Sequence, residues 1–224
     1  MTTLQAIAWI CIGLGILTAF AIAWDIRANP QPMSVMNVTW PITGLYFPVI
    51  GVPMYWLMGR AHAHHGHGAS HHHGADKPFW QSVLVSVTHC GGGCTLGDSI
   101  AAPLVSSFGL TVAGSVLLAH FAGEFVAAYL FGILFQFLPI MAMGERNPVR
   151  GLINAIKADT LSLISFEVGM FGWIALSFLL LLPAEPEVGS AVFWFMMQIA
   201  MVIGFATAYP ANWMLVKAGI KHGM

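Results

Sequence analysis

The sequence predicts an all-α membrane protein, a bundle of about six transmembrane helices. Three observations carry that expectation. Hydrophobic residues make up 58% of the 224-residue chain and charged residues only 8%, where a soluble domain carries roughly a quarter charged residues. So little charge cannot solvate an ordinary globular surface. Six stretches are apolar over about the 20 residues that a helix needs to cross a bilayer. Lys and Arg also fall unevenly between alternate loops, as they do where a chain crosses a membrane repeatedly.

The first stretch, 4–24, stops at Asp25-Ile-Arg27. It lacks the basic start of a signal peptide and reads as a retained first helix. The second, about 38–58, contains Pro41, Pro48 and Pro53, so it is expected to be kinked or partly unwound. The third, about 79–108, contains Thr88-His-Cys-Gly-Gly-Gly-Cys-Thr-Leu-Gly-Asp98. Its glycines predict a possible break into two half-helices or a re-entrant loop. The fourth covers about 110–138. The fifth covers about 158–182 and ends at Pro183-Ala-Glu-Pro-Glu187. The sixth covers about 189–216. The implied organisation is two N-terminal helices (1–60), a His-rich cytoplasmic loop (61–78) and a four-helix membrane domain (79–224). No internal repeat is evident.

Orientation follows from the basic residues. With a cytoplasmic N-terminus, Arg60, Lys77, Arg146, Arg150, Lys157, Lys217 and Lys221 all fall inside and only Arg27 outside. Both termini are therefore expected in the cytoplasm. The net charge of −1 offers no basic footprint for nucleic acid, and three cysteines are too few for a disulfide scaffold. No nucleotide loop or His-Glu-x-x-His motif supports an enzyme. Lipid is the expected partner, and self-association into a homo-oligomer stays open.

Four features bear chemistry. The first is the tract His62, His64, His65, His67, His71, His72 and His73, which holds seven of the ten histidines. Imidazole is a borderline ligand for transition metals, and such a tract captures them weakly in several geometries. A hydrophilic linker is the plain alternative. The second is His89-Cys90 with Cys94 and Asp98. If helical, Cys90, Cys94 and Asp98 rotate by only about 40° per step and line one face. Thiolates select soft or borderline metals, or cycle between dithiol and disulfide; inert packing is the alternative.

The third feature is the set of acids in spanning segments, Asp98, Glu124 and Glu167, with His89 and His120 beside them. Such groups usually face a bundle interior or a pathway, although polar side chains also simply hold membrane helices together. His120 and Glu124 are spaced i, i+4 and share a face. The fourth is Met197 and Met201, also i, i+4, whose thioethers are soft ligands or ordinary packing. At about 1.5 Å per residue, Cys90, Glu124, Glu167 and Met197 all fall near the midplane of a core about 30 Å thick.

Beyond these features, residues 79–224 resemble an integral-membrane family of bacteria known only as a domain of unknown function. The carrying strings are the Thr88–Asp98 motif, Ile156-Lys-Ala-Asp-Thr-Leu-Ser162, Gly169-Met-Phe-Gly172, Trp194-Phe-Met-Met-Gln-Ile-Ala-Met201, Tyr209-Pro-Ala-Asn-Trp213 and Gly219-Ile-Lys221. The resemblance implies a membrane protein, placed in the bacterial inner membrane, and no activity. The His-Cys-x-x-x-Cys-x-x-Gly string is also similar to elements of some small-substrate and thiol-handling transporters.

The leading functional expectation is the handling or transport of a transition-metal cation, copper before zinc, nickel or iron. Its site would be His89, Cys90, Cys94, Asp98, His120, Glu124, Glu167, Met197 and Met201, fed by the His tract. A thiol-disulfide or haem redox protein is a second reading. A membrane subunit whose buried polar groups only define packing is a third.

Overall fold

A computed structural model of the chain describes residues 2–60 and 78–221. The helices are α1 (Thr3–Ala28), α2 (Met36–Tyr46), α3 (Gly51–Met54), α4 (Phe79–Ser107), α5 (Val116–Ala142), α6 (Pro148–Leu176) and α7 (Ala191–Lys217). A wider π-type turn over Tyr55–Gly59 continues α3, and another over Ser177–Leu181 continues α6. The His tract at 62–73 lies outside the described residues.

Helix starts follow local capping. Thr2 caps α1 through a capping box with Gln5, Asn147 caps α6 ahead of Pro148, and Ser115 and Ser190 cap α5 and α7. Each supplies an oxygen to backbone amides that have no partner within the helix. Four of the helical segments are long and apolar enough to cross a membrane: α1, α5, α6 with its continuation, and α7. They carry belts of large exposed apolar side chains, such as Leu17 and Phe20 on α1, Leu130 on α5, Val168 on α6 and Met214 on α7. Among the described residues the chain is thus all-α and suited to a bilayer.

α4 differs from these four. It is 29 residues long, yet it is less apolar, because its neighbours cover it. Every residue from Val85 to Thr95 is buried. The expected break at the glycines does not occur: α4 runs unbroken through all of them. The reason is packing on several sides at once. A methyl group added at Gly93 would stand 2.9 Å from the Gly132 Cα on α5. One at Gly92 would meet the Thr39 backbone on α2 at 3.0 Å, and one at Gly91 would meet the Tyr46 hydroxyl at 3.0 Å and Phe166 of α6 at 3.2 Å. Gly97 lies against the backbone of Ala127 and Ala128. Successive helical residues point about 100° apart, so three consecutive glycines admit three neighbours to the α4 backbone. Small residues serve this purpose in membrane helices generally.

The stretch expected to cross at 38–58 does not run straight through. α2 and α3 form a hairpin that returns to the end where it began. Asp25, in the last turn of α1, accepts hydrogen bonds from the Tyr55 hydroxyl at 2.9 Å and from Arg60 Nε and Nη2 at 3.0 and 2.9 Å. The tip of the hairpin stops within the bundle. There the Val49 amide donates to Thr18 at 2.9 Å, and the Leu45 carbonyl accepts from Gln198 at 2.7 Å. Thr18 lies about 10 Å from Asp25 at 1.5 Å per residue, so the hairpin reaches about a third of the way through a core of about 30 Å. Of the three prolines expected to disturb this stretch, Pro48 does interrupt it, in the turn between α2 and α3, whereas Pro41 lies within α2 and Pro53 within α3.

α1 and α7 therefore run parallel, and their C-terminal ends meet the start of α4. Val85 packs with Ile22, Ile26, Trp40 and Tyr55, while Phe79 stands edge-on to Trp213 with ring centres 4.6 Å apart. Arg27, Arg60, Arg146, Arg150, Lys157, Lys217 and Lys221 consequently belong to one end of the bundle. Glu185 and Glu187 belong to the other.

The glycine seam generates a stability prediction. Gly93→Ala or Gly97→Ala overpacks the α4–α5 contact and should cost about 1–3 kcal/mol. Gly172→Ala, on α6 with nothing within 4 Å of the added carbon, should be neutral or stabilising by about 0.5–1 kcal/mol. Thermal unfolding in detergent checks both; equal melting temperatures for all three variants would refute the packing role.

Candidate functional site

Because α4 is unbroken, Cys90, Cys94 and Asp98 do share one face, and all three are buried. The two thiols are free and adjoin each other. They lie in the main core cluster with Tyr46, Phe166, Met170, Met197 and Met201. Tyr46, at the inner tip of the hairpin, stands near both cysteines. The sequence offered no sign of that, because the hairpin places it there.

Glu167 of α6 faces Cys94. Asp98 lies one turn further along α4, near both Glu167 and Glu124. Asp98 is 0% exposed and Glu167 1%; neither carboxylate oxygen of Asp98 has a hydrogen-bond partner, and the polar group against Glu167 is the Cys94 thiol. Glu124 is different: His120 Nδ1 stands 3.1 Å from its Oε1, the i, i+4 pair expected from spacing. This pair forms the inner wall of a cavity of about 200 Å³ that Met197 also lines. Glu185 and Glu187, from the segment before α7, also line it. A second cavity of about 180 Å³ between α1, α2, α4 and α7 is lined by Tyr46, Thr95, Ser99, Met197, Gln198 and Met201. Met197 therefore borders both cavities, whereas Met201 reaches only the second.

His89 points away from the cysteines. It lies near a buried ion pair that joins Asp159 of α6 to Lys221, just beyond α7. Lys221 Nζ and Asp159 Oδ1 are 3.1 Å apart and both side chains are shielded from solvent. Asp159 Oδ2 has no hydrogen-bond partner, and the His89 ring meets the backbone of Phe135 on α5. Asn212 adds a polar layer at this level: its Nδ2 donates to Ser162, and its Oδ1 accepts from Ser86 at 3.4 Å. Lys221 is the site residue that sequence reasoning missed. A lysine a few residues past an apolar helix looks like a solvated tail, and only the fold turns it inward.

The expected residues thus come together as a file, not as a cage. It passes from the cavity through Glu124 and His120, then Asp98 and Glu167, then Cys94 and Cys90, to His89, Asp159 and Lys221. The α4 part, Asp98 to His89, spans about 14 Å at 1.5 Å per residue. Among the described residues, no three His, Cys, Asp or Glu side chains converge closely enough to hold a metal ion. Chemically, the file offers buried carboxylates, thiols and imidazoles, which are ligand types for metal cations when deprotonated.

No curated protein and no solved structure matches this chain. A family profile does match, over residues 79–221, from the start of α4 to the buried lysine beyond α7. That span carries α4 to α7 and the whole of the file, and by it the chain belongs to the family described as domain of unknown function DUF4396.

Proposed function

We propose that this protein carries a transition-metal cation through a membrane by way of the buried thiol and carboxylate file, with copper(I) the favoured ion and zinc next. One observation carries the reading: Asp98 is buried with neither carboxylate oxygen hydrogen-bonded, and Glu167, buried beside it, meets the Cys94 thiol. A network retained only for packing satisfies its groups among its own members, since an unpartnered polar group in an apolar interior costs several kcal/mol. A carboxylate left without partners suits a position that is filled and emptied. The adjoining thiols bias it towards soft and borderline ions.

The same geometry supports five crossings, by α1, α4, α5, α6 and α7, with α2 and α3 as a re-entrant hairpin. This replaces the six crossings expected from hydropathy. The Lys and Arg residues at the ends of the described helices then lie together, and the rule that cytoplasmic loops are rich in Lys and Arg puts that end in the cytoplasm. The C-terminus is cytoplasmic, as expected, but the N-terminus falls outside, and the acidic cavity opens outward. The membrane assigned is the cytoplasmic membrane of a bacterium.

Metal analysis tests the function. Purified protein lacking residues 62–73, kept reduced and supplied with copper(I), should retain about one ion per chain, because no residue of the file belongs to the His tract. Cys94→Ser or Glu167→Gln should weaken binding by more than about tenfold, since even outer partners of a metal site are worth 10–100-fold. No bound ion, or equal binding by all three proteins, contradicts the reading. Tag accessibility tests the topology: an N-terminal tag should react with impermeant reagents in intact cells and a C-terminal tag should not. Identical behaviour of the two tags would overturn the five-crossing arrangement.

A further inference from the structure

Lysines near the ends of membrane helices ordinarily extend outward, so that the ammonium sits among the headgroups. Lys221 does the reverse. α7 ends at Lys217, and Gly219 then adopts a left-handed φ of 70°. The Ile220 and Lys221 amides both donate to the Leu215 carbonyl, at 3.0 and 3.2 Å. This turn sends the lysine side chain back into the bundle, where it is 0% exposed and meets Asp159.

The surroundings contain more than that ion pair needs. Asp159 Oδ2 is buried and unused, and His89, whose ring meets the Phe135 backbone with one nitrogen and so keeps the other, lies near the Lys221 and Asp159 charges. A carboxylate and an imidazole with free lone pairs therefore face a place that already holds a positive charge. Carboxylate oxygen and imidazole nitrogen are the donors that zinc accepts alongside thiolate. The place is also the cytoplasmic terminus of the file, since His89 precedes Cys90 on α4.

We infer that Asp159 and His89 form a second cation position at the basic end of the file, and that the Lys221 ammonium is its occupant in this conformation. A divalent metal ion and the C-terminal tail compete for one place. The tail closes this end while the position lacks metal, and an arriving ion displaces it. Such an exchange keeps Asp159 neutralised throughout, whereas simple loss of the lysine would strand a buried carboxylate, which is strongly destabilising. The inference rests on the reading of the file as a cation path and adds a site and a gate to it.

Trypsin cuts after lysine only where the backbone and side chain are accessible, so cleavage after Lys221 reports release of the tail. The full-length protein in detergent is exposed to trypsin with and without zinc alone, and loss of residues 222–224 is followed by mass spectrometry. With zinc at about ten times its Kd, mass action should raise the released fraction, and hence cleavage after Lys221, by about tenfold. Cleavage after Arg146, in the exposed α5–α6 turn, should not change. Asp159→Asn should free the lysine without zinc, and Lys221→Gln should tighten zinc binding by about tenfold or add one ion per chain. If zinc binds but neither Lys221 cleavage nor the affinity of Lys221→Gln differs, the competition is refuted while the cation path stands. If neither the wild type nor Lys221→Gln binds zinc, both fall.

Discussion

The close approach of α4 to its neighbours underlies every other feature of this protein. A helix surrounded on all sides must let other backbones or ring faces near its axis, and side chains larger than hydrogen prevent that. Gly91, Gly92 and Gly93 point in three directions and meet Tyr46 and Phe166, Thr39, and Gly132. Gly97 extends the α5 contact by one turn to Ala128. This contact encloses the middle of α4, where every residue from Val85 to Thr95 is buried, so that stretch need not be apolar. α4 is accordingly the one long helix that does not read as a span by composition, and it is also the helix that carries buried Thr, His, Cys and Asp side chains.

Enclosure of α4 turns a linear motif into a three-dimensional arrangement. Cys90, Cys94 and Asp98 face α6 and α7 because the helix is continuous. The hairpin of α2 and α3 fills the space beside them, and its Tyr46 reaches the thiols from the basic end. On the other side, α5 brings Glu124 and His120 to a cavity whose lining includes Glu185 and Glu187. The bundle is thus electrically polarised, with acids at one end, buried carboxylates in the centre and a buried ammonium at the far end. In a low-dielectric interior such charges act strongly on one another.

How much of this could be read from the sequence depended on whether the deciding interaction was local. Four spans and the shared face of Cys90, Cys94 and Asp98 follow from composition and from a period of 3.6, and both were legible. The His120–Glu124 pair was legible for the same reason. The unbroken course of α4 was not, because glycine permits both a break and close packing, and only the neighbours select between them. The hairpin was hidden because hydropathy counts apolar residues without saying where Arg60 ends up; its ion pair with Asp25, 35 residues away in sequence, decides that. The inward turn of Lys221 depends on an aspartate 62 residues earlier, and no pattern around Lys221 announces it.

The claim on which the site depends is that one face of a continuous α4 meets Glu167 of α6. In a chain carrying Glu167→Cys with Cys11→Ser and Cys90→Ser, the only thiols are native Cys94 and the one introduced on α6. A short bifunctional thiol reagent should join them within a single chain. The same experiment with Val168→Cys, whose position is 66% exposed on the outer face of α6, should give no link. A link from position 168 equal to that from 167, or none from either in folded protein, would contradict the packed centre and the file built on it.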